Sequence, residues 1–341
     1  LDPILVVTFP AIGDFVRCHS AIRIIARRFP DRPIDVITSS AALPLASLMP
    51  HVRRGWALDK KSRSFGLAER YRLARELRGQ NYRTAYLLSG ATKAALAPWL
   101  AGIPERIGYP RELQFGLVNR FPADWLRQLL SLGTRHRRFY EEVCDIATLA
   151  AEPVPAEGWP APQLLIPPEQ VDDWRRRAGI DSTKPALALY TSGLDDQRRW
   201  PIERFISIAR DYSRRGWAVR VIGAARERSA AAAIRAAVPE VVDFTSTPLI
   251  TDAMCQIVAS TLFLGVDGGP SHAAAALNVP CVLIFRANRA YDGGPVNAGV
   301  RFVEPPISTP SQIEGTIGVS KDQVLKALEH LSTETRHSQD G

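Results

Sequence analysis

Three short segments bring together residue types that bind anions or move protons. The first is Thr8-Phe-Pro-Ala-Ile-Gly-Asp14. It closes a continuous apolar run over 4–9, the pattern of a buried parallel strand. Asp14 therefore lies at a strand's carboxyl end, where open α/β sheets bind ligands. Two roles fit it: N-cap of a helix over 14–28, or a carboxylate that takes a hydroxyl proton or clamps a substrate. Only Gly13 stands where a dinucleotide fingerprint needs three spaced glycines, which argues against an NAD-dependent epimerase or dehydrogenase.

The second segment runs from Asp195 to Phe205, directly after a predicted strand over 185–190. Pro201 suits the first turn of a helix and Glu203 its positive end. Arg198 and Arg199 just upstream offer forked donors to phosphate, although a solvated basic loop has the same composition. The third segment is Gly265-Val-Asp-Gly-Gly-Pro-Ser-His272, followed by four alanines. A buried strand ends at Asp267, two glycines turn the chain and Pro270 opens a helix. The backbone N–H groups of Gly269, Ser271 and His272 are then expected to face an anion. The alanines let that helix approach the sheet closely.

Other chemistry is excluded or weakly marked. His19, within the first helix, reads as a structural histidine. His136 stands in the basic run Arg135-His-Arg-Arg138, suited to an acidic acceptor or to a solvated face. No His/Cys cluster has metal-ligand spacing, and no Gly-x-Ser-x-Gly elbow supports a hydrolase. Cys18, Cys144, Cys255 and Cys281 are widely spaced and read as reduced, mostly buried residues.

The elements that position these segments alternate. In the first half, strands are expected at 4–9, 34–37, 56–58, 84–88 and 106–108, with helices at 14–28, through 45, 66–77 and 91–98. The proline-rich stretch 152–168 marks a linker or exposed edge. The alternation restarts with strands at 185–190, 218–222, around 242, 261–266 and 280–285. Helices are expected at 202–214, 226–236, 251–259, 270–278 and 321–332, and 286–319 is the least regular part. This is an α/β chain of two Rossmann-like, doubly wound units, whose cleft is the default place for a ligand.

The bulk properties agree with two domains. The chain has 341 residues, 46% of them hydrophobic and 23% charged, which suits globular folding. Lys and Arg outnumber Asp and Glu by 43 to 35, a formal charge of +8 that favours anionic partners. No helix-turn-helix, zinc-finger or RNA-binding signature points to nucleic acid. The apolar run at the start is too short for a membrane span and lacks a signal-peptide layout, so membrane contact is expected to be peripheral.

With these segments in hand, the sequence resembles the bacterial lipopolysaccharide heptosyltransferases, glycosyltransferase family 9, nearest the heptosyltransferase II branch. The resemblance rests on Phe9-Pro-Ala-Ile-Gly-Asp14, Ala101-Gly-Ile-Pro-Glu-Arg-Ile-Gly108, Arg198-Arg-Trp-Pro201, Gly223-Ala-Ala-Arg-Glu227 and Asp267-Gly-Gly-Pro-Ser-His272, in that order along nearly the whole chain. It implies a GT-B architecture with an acceptor-binding domain over 1–165 and a nucleotide-sugar-binding domain over 166–341, the last helix being able to pack back on the first. The implied donor is ADP-heptose, the acceptor an anionic lipid-linked glycan of the lipopolysaccharide inner core, and the transfer inverting, without metal or separate cofactor. A cytoplasmic location, with contact to the inner face of the bacterial inner membrane, goes with it.

The resemblance also distributes roles. Asp14 matches the family's base, and Arg198 falls where a diphosphate-binding lysine is usual. Glu227 matches the acidic residue that holds the ribose, and Asp267, Gly269, Ser271 and His272 belong to the donor loop. Arg106 and His136 are expected on the acceptor side. Two departures leave the donor sugar open. Gly268 stands where the family commonly has Ser or Thr, and Arg286-Ala-Asn-Arg-Ala-Tyr-Asp292 replaces a small Gly-Pro-rich turn. Another nucleotide sugar and surface glycan, or non-catalytic binding of either, stays open at this point.

Overall fold

The computed structural model describes residues 1–59, 66–110, 116–130, 138–192, 198–247, 249–286, 289–305 and 316–337. The chain divides into two units, Leu1–Gln163 and Leu164–Gly341.

In the first unit, Ile4–Val7 (β1), Ile34–Thr38 (β2), Val52–Ala57 (β3), Thr84–Leu87 (β4) and Glu105–Ile107 (β5) form a parallel sheet in the order β3-β2-β1-β4-β5. The chain runs outward from β1 to β3, then returns through β4 on the other side of β1. That reversal leaves a crevice at the carboxyl ends of β1 and β4, the usual ligand position in such sheets. Every residue of β1, β2 and β4 is buried, and the continuous apolar run of β1 is what covering on both faces requires. Leu5, Val7, Ile37, Ala85 and Leu87 share a core with Leu73 and Leu77 of the helix Leu67–Arg78 and with Ala95 of the helix Thr92–Leu100. The helices His19–Arg28 and Phe139–Thr148 pack against each other.

The one buried carboxylate in these strands is fully compensated. Asp35 of β2 accepts from Arg53 Nε at 2.9 Å and Nη2 at 2.6 Å, and also from the Tyr82 hydroxyl. Tyr82 in turn accepts from Trp56 Nε1 at 2.9 Å. An unpaired carboxylate there would cost several kcal/mol, so the fork from Arg53 makes the burial tolerable while tying β2 to β3.

The second unit repeats the plan. Ala186–Tyr190 (β6), Ala218–Ile222 (β7), Val242–Phe244 (β8), Leu262–Val266 (β9), Cys281–Ile284 (β10) and Val300–Val303 (β11) form a parallel sheet in the order β11-β10-β9-β6-β7-β8. Its reversal lies at β6 and β9. The helix Ile202–Arg214 has the expected bounds, while β11 and the short helix Arg289–Gly293 occupy the stretch read as least regular. Pro168, read as part of a linker, opens the helix Pro168–Ala178 instead. Proline is well placed at a first helical position because its missing N–H is not needed there. The last helix, Lys321–His337, packs on β9, β10, β11 and the helix Ile202–Arg214. Trp200 Nε1 and Arg204 both donate to the Val319 carbonyl just before it. No helix among the described residues is long and apolar enough to cross a membrane.

The four cysteines are buried and unpaired with one another. His19 is buried and structural. The Gln163 amide donates to its Nδ1 at 2.9 Å, which assigns the proton to Nε2, 3.0 Å from the Pro50 carbonyl. Burial pulls its pKa from 6.5 down to about 4. The neutral ring therefore stabilises the fold fully above pH 6.5, and that contribution, up to about 3 kcal/mol, is lost as pH falls toward 4. The stability gap between wild type and His19→Gln is expected to shrink across this window in urea titrations. A gap independent of pH would refute the assignment.

Candidate functional site

The strand-end segments fold into two clusters, one in each unit. In the first, the chain leaves β1 and enters the helix Ile12–Arg17 after Ala11, two residues earlier than expected. Ala11 is the N-cap, in extended conformation and without a side-chain cap bond. Asp14 is thus not the N-cap. It is the third residue of the helix, where a carboxylate still complements the positive end of the helix dipole. Its Oδ1 is paired with Arg17 Nη2, one turn on along the same face, and its side chain is about one-third exposed. Arg17 in turn lies over the Phe139 ring, 3.9 Å from its centre, and Phe139 packs on Phe9 with ring centres 5.2 Å apart. A cation held between a carboxylate and an aromatic face has little freedom, so Arg17 fixes where the Asp14 carboxylate points. Cys18 and Tyr140 are buried near Asp14 and Arg17. Burial pushes the Cys18 thiol up to about 12, so it stays protonated and unreactive.

The second cluster gathers the ends of β6, β7 and β9. Asp267 follows β9, and its Oδ2 meets Arg198 Nη1 at 3.0 Å. Its Oδ1 lies 3.7 Å from His272 Nε2. The structure therefore brings Arg198, Asp267 and His272 together although 74 residues separate the first from the last in sequence. Arg198 and Asp267 are each about one-fifth exposed, open enough for a ligand to reach. Tyr190, the last residue of β6, accepts from Arg226 Nη2 at 2.8 Å. Burial raises its pKa to about 12, keeping the hydroxyl protonated.

Several expected donors have other work. The N–H groups of Ser271 and His272 both reach the Gly268 carbonyl, at 3.1 and 3.3 Å, so they do not face an anion as the helix-start argument expects. Gly269 keeps its place in the first turn of the helix Gly269–Ala276. The Ser271 hydroxyl is buried and donates to the Val266 carbonyl at 2.6 Å, pinning the turn under the strand. Glu227 is also fully buried. Its Oε2 accepts from the Ala224 amide and its Oε1 from Arg226 Nε, both at 2.6 Å, so it shapes the turn after β7. Gly223, at φ +146°, supplies the close approach that this carboxylate requires.

Arg106, expected on the acceptor side, is buried in β5. Its guanidinium donates to the carbonyls of Leu117 at 2.6 Å, Gly116 at 2.9 Å and Ile103. Each guanidinium nitrogen donates to one carbonyl, so Arg106 staples the chain after β5. His136 lies outside the described residues. Among the described residues no group of three His, Cys, Asp or Glu side chains could hold a metal ion. Arg17, Tyr190 and Arg226 were not singled out by sequence reasoning. Only the three-residue spacing of Asp14 and Arg17 on a helix signals their pairing.

Gly268, where a hydroxyl residue was expected, has extended backbone, so its smallness answers to space and not to torsion. A Cβ there would meet the Tyr190 ring and hydroxyl at 2.7 Å. Tyr190 thus fills the volume that a larger residue would take.

The sequence profile of glycosyltransferase family 9 (heptosyltransferase) matches residues 70–312. Lipopolysaccharide heptosyltransferase 2 of Escherichia coli is 26% identical over 288 residues, spanning 83% of this chain and 82% of the relative. The solved E. coli ADP-heptose LPS heptosyltransferase II superposes with a TM-score of 0.83 at 25% identity, covering 98% of this chain and 99% of that one. A family 9 glycosyl transferase from Veillonella parvula gives 0.81 at 17% identity, over 98% and 97% of the two chains, and supports the fold alone.

Gly268→Ser is expected to cost about 1–3 kcal/mol, because the buried Tyr190 ring must shift to admit it. The urea midpoint of the variant tests this, and an unchanged midpoint would show that the turn has room to spare.

Proposed function

The chain belongs to glycosyltransferase family 9, with the paired parallel-sheet units of the GT-B fold, and from that premise we propose that it moves a heptose from ADP-heptose to an inner-core lipopolysaccharide acceptor. Family and fold make it a glycosyltransferase that takes a sugar from a nucleotide donor. The heptose and the acceptor are carried by likeness to the E. coli enzyme.

The observation that carries the residue assignment is the placement of Asp14. It is a partly exposed carboxylate at the strand-end crevice of the first unit, oriented by Arg17. In the proposed reaction Asp14 takes the proton of the acceptor hydroxyl. The hydroxyl oxygen bonds to the anomeric carbon as the bond from that carbon to the diphosphate oxygen breaks, inverting the configuration. The electron pair leaves with the diphosphate. Arg198 then meets the growing charge, and the Gly269 end of its helix adds its dipole. Asp267 plays a preparatory part. By pairing with Arg198 it holds the guanidinium in place before the donor arrives, so less order has to be created during the reaction.

Gly268 favours a second reading of the donor. With Tyr190 in the space of a hydroxyl side chain, the sugar end of the site differs from the pattern expected for the family, which suits another nucleotide sugar. This changes the substrate and leaves the chemistry alone.

Mass spectrometry of glycosyl transfer from ADP-heptose to a truncated lipopolysaccharide core tests both. Asp14→Asn, which keeps size and loses basicity, is expected to lower kcat about 100- to 10,000-fold with donor binding retained. Arg198→Ala is expected to lower kcat by about 100-fold, since it acts on developing charge. Transfer is expected to persist in EDTA. Wild-type silence with ADP-heptose but turnover of another nucleotide sugar would select the second reading, and an active Asp14→Asn would remove Asp14 as base.

A further inference from the structure

We propose that the second unit carries an anion-binding site at the amino ends of its strands, built around Arg220 and suited to a phosphate-bearing ligand. It lies at the end of the sheet opposite the Asp267 turn, so it is not part of the cluster described above. A cavity of about 320 Å³ opens there, lined by Arg175, Ser182, Lys184, Arg220, Ser260 and Thr261 among others, and no lining residue is acidic.

Arg220 is the unusual feature. It sits in the middle of β7, in register with Ala188 of β6 and Val242 of β8, and is only 2% exposed. A buried guanidinium costs several kcal/mol unless its charge and donors are met. Here Nη1 donates to the Ala259 carbonyl at 2.8 Å, at the negative end of the helix Ile250–Val258. No carboxylate pairs with Arg220 among the described residues, and its remaining donors have no acceptor there. One neutral acceptor offsets only part of the burial cost. Every other buried charge described above, Asp35 and Glu227 included, has an opposite charge in contact, or, like Arg106, a carbonyl acceptor on each guanidinium nitrogen.

The surroundings sharpen the contrast. Arg175 approaches the same cavity, and its charge adds to burial in pushing the Arg220 guanidinium toward its neutral form. Arg175 is itself held by Asp172 at 3.0 Å, which fixes it at the rim. Lys184 adds a third cation from the turn before β6. Thr261 accepts the Ala186 amide at 3.0 Å, so its hydroxyl proton remains to be donated. Three cations and a hydroxyl line the cavity, and Asp172, the carboxylate that pairs with Arg175, lies outside the lining, so the excess positive charge selects an anion. The space admits a phosphate or diphosphate with its water.

Calorimetric titration of pyrophosphate and inorganic phosphate into the full chain tests the proposal. An Arg198→Ala background keeps the Asp267 turn from contributing. One-site binding tighter than about 1 mM is expected. The rim pair Arg175→Ala and Lys184→Ala, one half-buried and the other exposed, should weaken it at least about tenfold. Arg220→Met, which keeps the packing, should abolish it. No heat at millimolar ligand, or binding that survives the rim pair, would overturn the proposal and leave Arg220 as a cap of its neighbouring helix. Sedimentation with phosphatidylglycerol vesicles, against phosphatidylcholine controls, separates the sources. Pelleting that the rim pair abolishes identifies a lipid headgroup, and pyrophosphate binding without pelleting identifies a soluble phosphate.

Discussion

The central strands of both sheets are buried on both faces, and that constraint decides where polar chemistry can be. A parallel strand covered by helices above and below leaves only its two ends within reach of solvent. β1 and β6 are buried throughout, and apolar apart from the terminal tyrosine of β6. Asp14, Tyr190, Glu227 and Asp267 accordingly come from strand ends or the turns that follow them. In each sheet the chain reverses beside its first strand, so the turns after β1 and β9 border a crevice instead of a packed helix. The same rule makes the amino ends of the second sheet a place where a polar cavity can form without breaking the core.

Charge is handled by pairing before any ligand arrives. Asp14 with Arg17, Asp267 with Arg198, Glu227 with Arg226 and Asp35 with Arg53 are all carboxylate–arginine contacts. They differ in what surrounds them. Asp35 and Glu227 are fully buried and their oxygens are taken, so these pairs hold turns and strands. Asp14, Arg198 and Asp267 retain exposure, so their pairs orient groups that a substrate can still reach. Arginine suits all four because its planar fork keeps a fixed geometry. Arg220, buried and without such a partner, stands apart from them.

The structure also separates residues that look alike in a motif. Asp267, Ser271 and His272 stand in one six-residue run, yet the Ser271 hydroxyl is spent on the Val266 carbonyl while Asp267 faces Arg198. Arg106 and Arg198 are both arginines in segments shared with the family. One donates to three carbonyls, and the other is paired with Asp267 and about one-fifth exposed. Gly268 shows that a missing hydroxyl can be matched by a ring from a neighbouring strand.

Much was legible in the sequence because it depends on local pattern. Apolar runs marked β1 and β9, and apolar periodicity with Pro201 marked the helix Ile202–Arg214. The order of strand-end motifs pointed to the family. What failed locally did so for identifiable reasons. Pro168 resembled a linker but opens a helix, and β11 has a half-exposed edge pattern too short to stand out. Asp14 had the composition of an N-cap, but the chain turned helical at Ile12 and left it in the first turn. Whether a given side chain is spent or available is a tertiary matter. It depends on which carbonyl or countercharge a distant segment delivers, as Leu117 does for Arg106 and Arg198 for Asp267. Residue type and spacing determined which groups this protein could use. The packing of segments far apart in the chain decided which of them are free to act, because a buried polar group must find its partners wherever the fold supplies them.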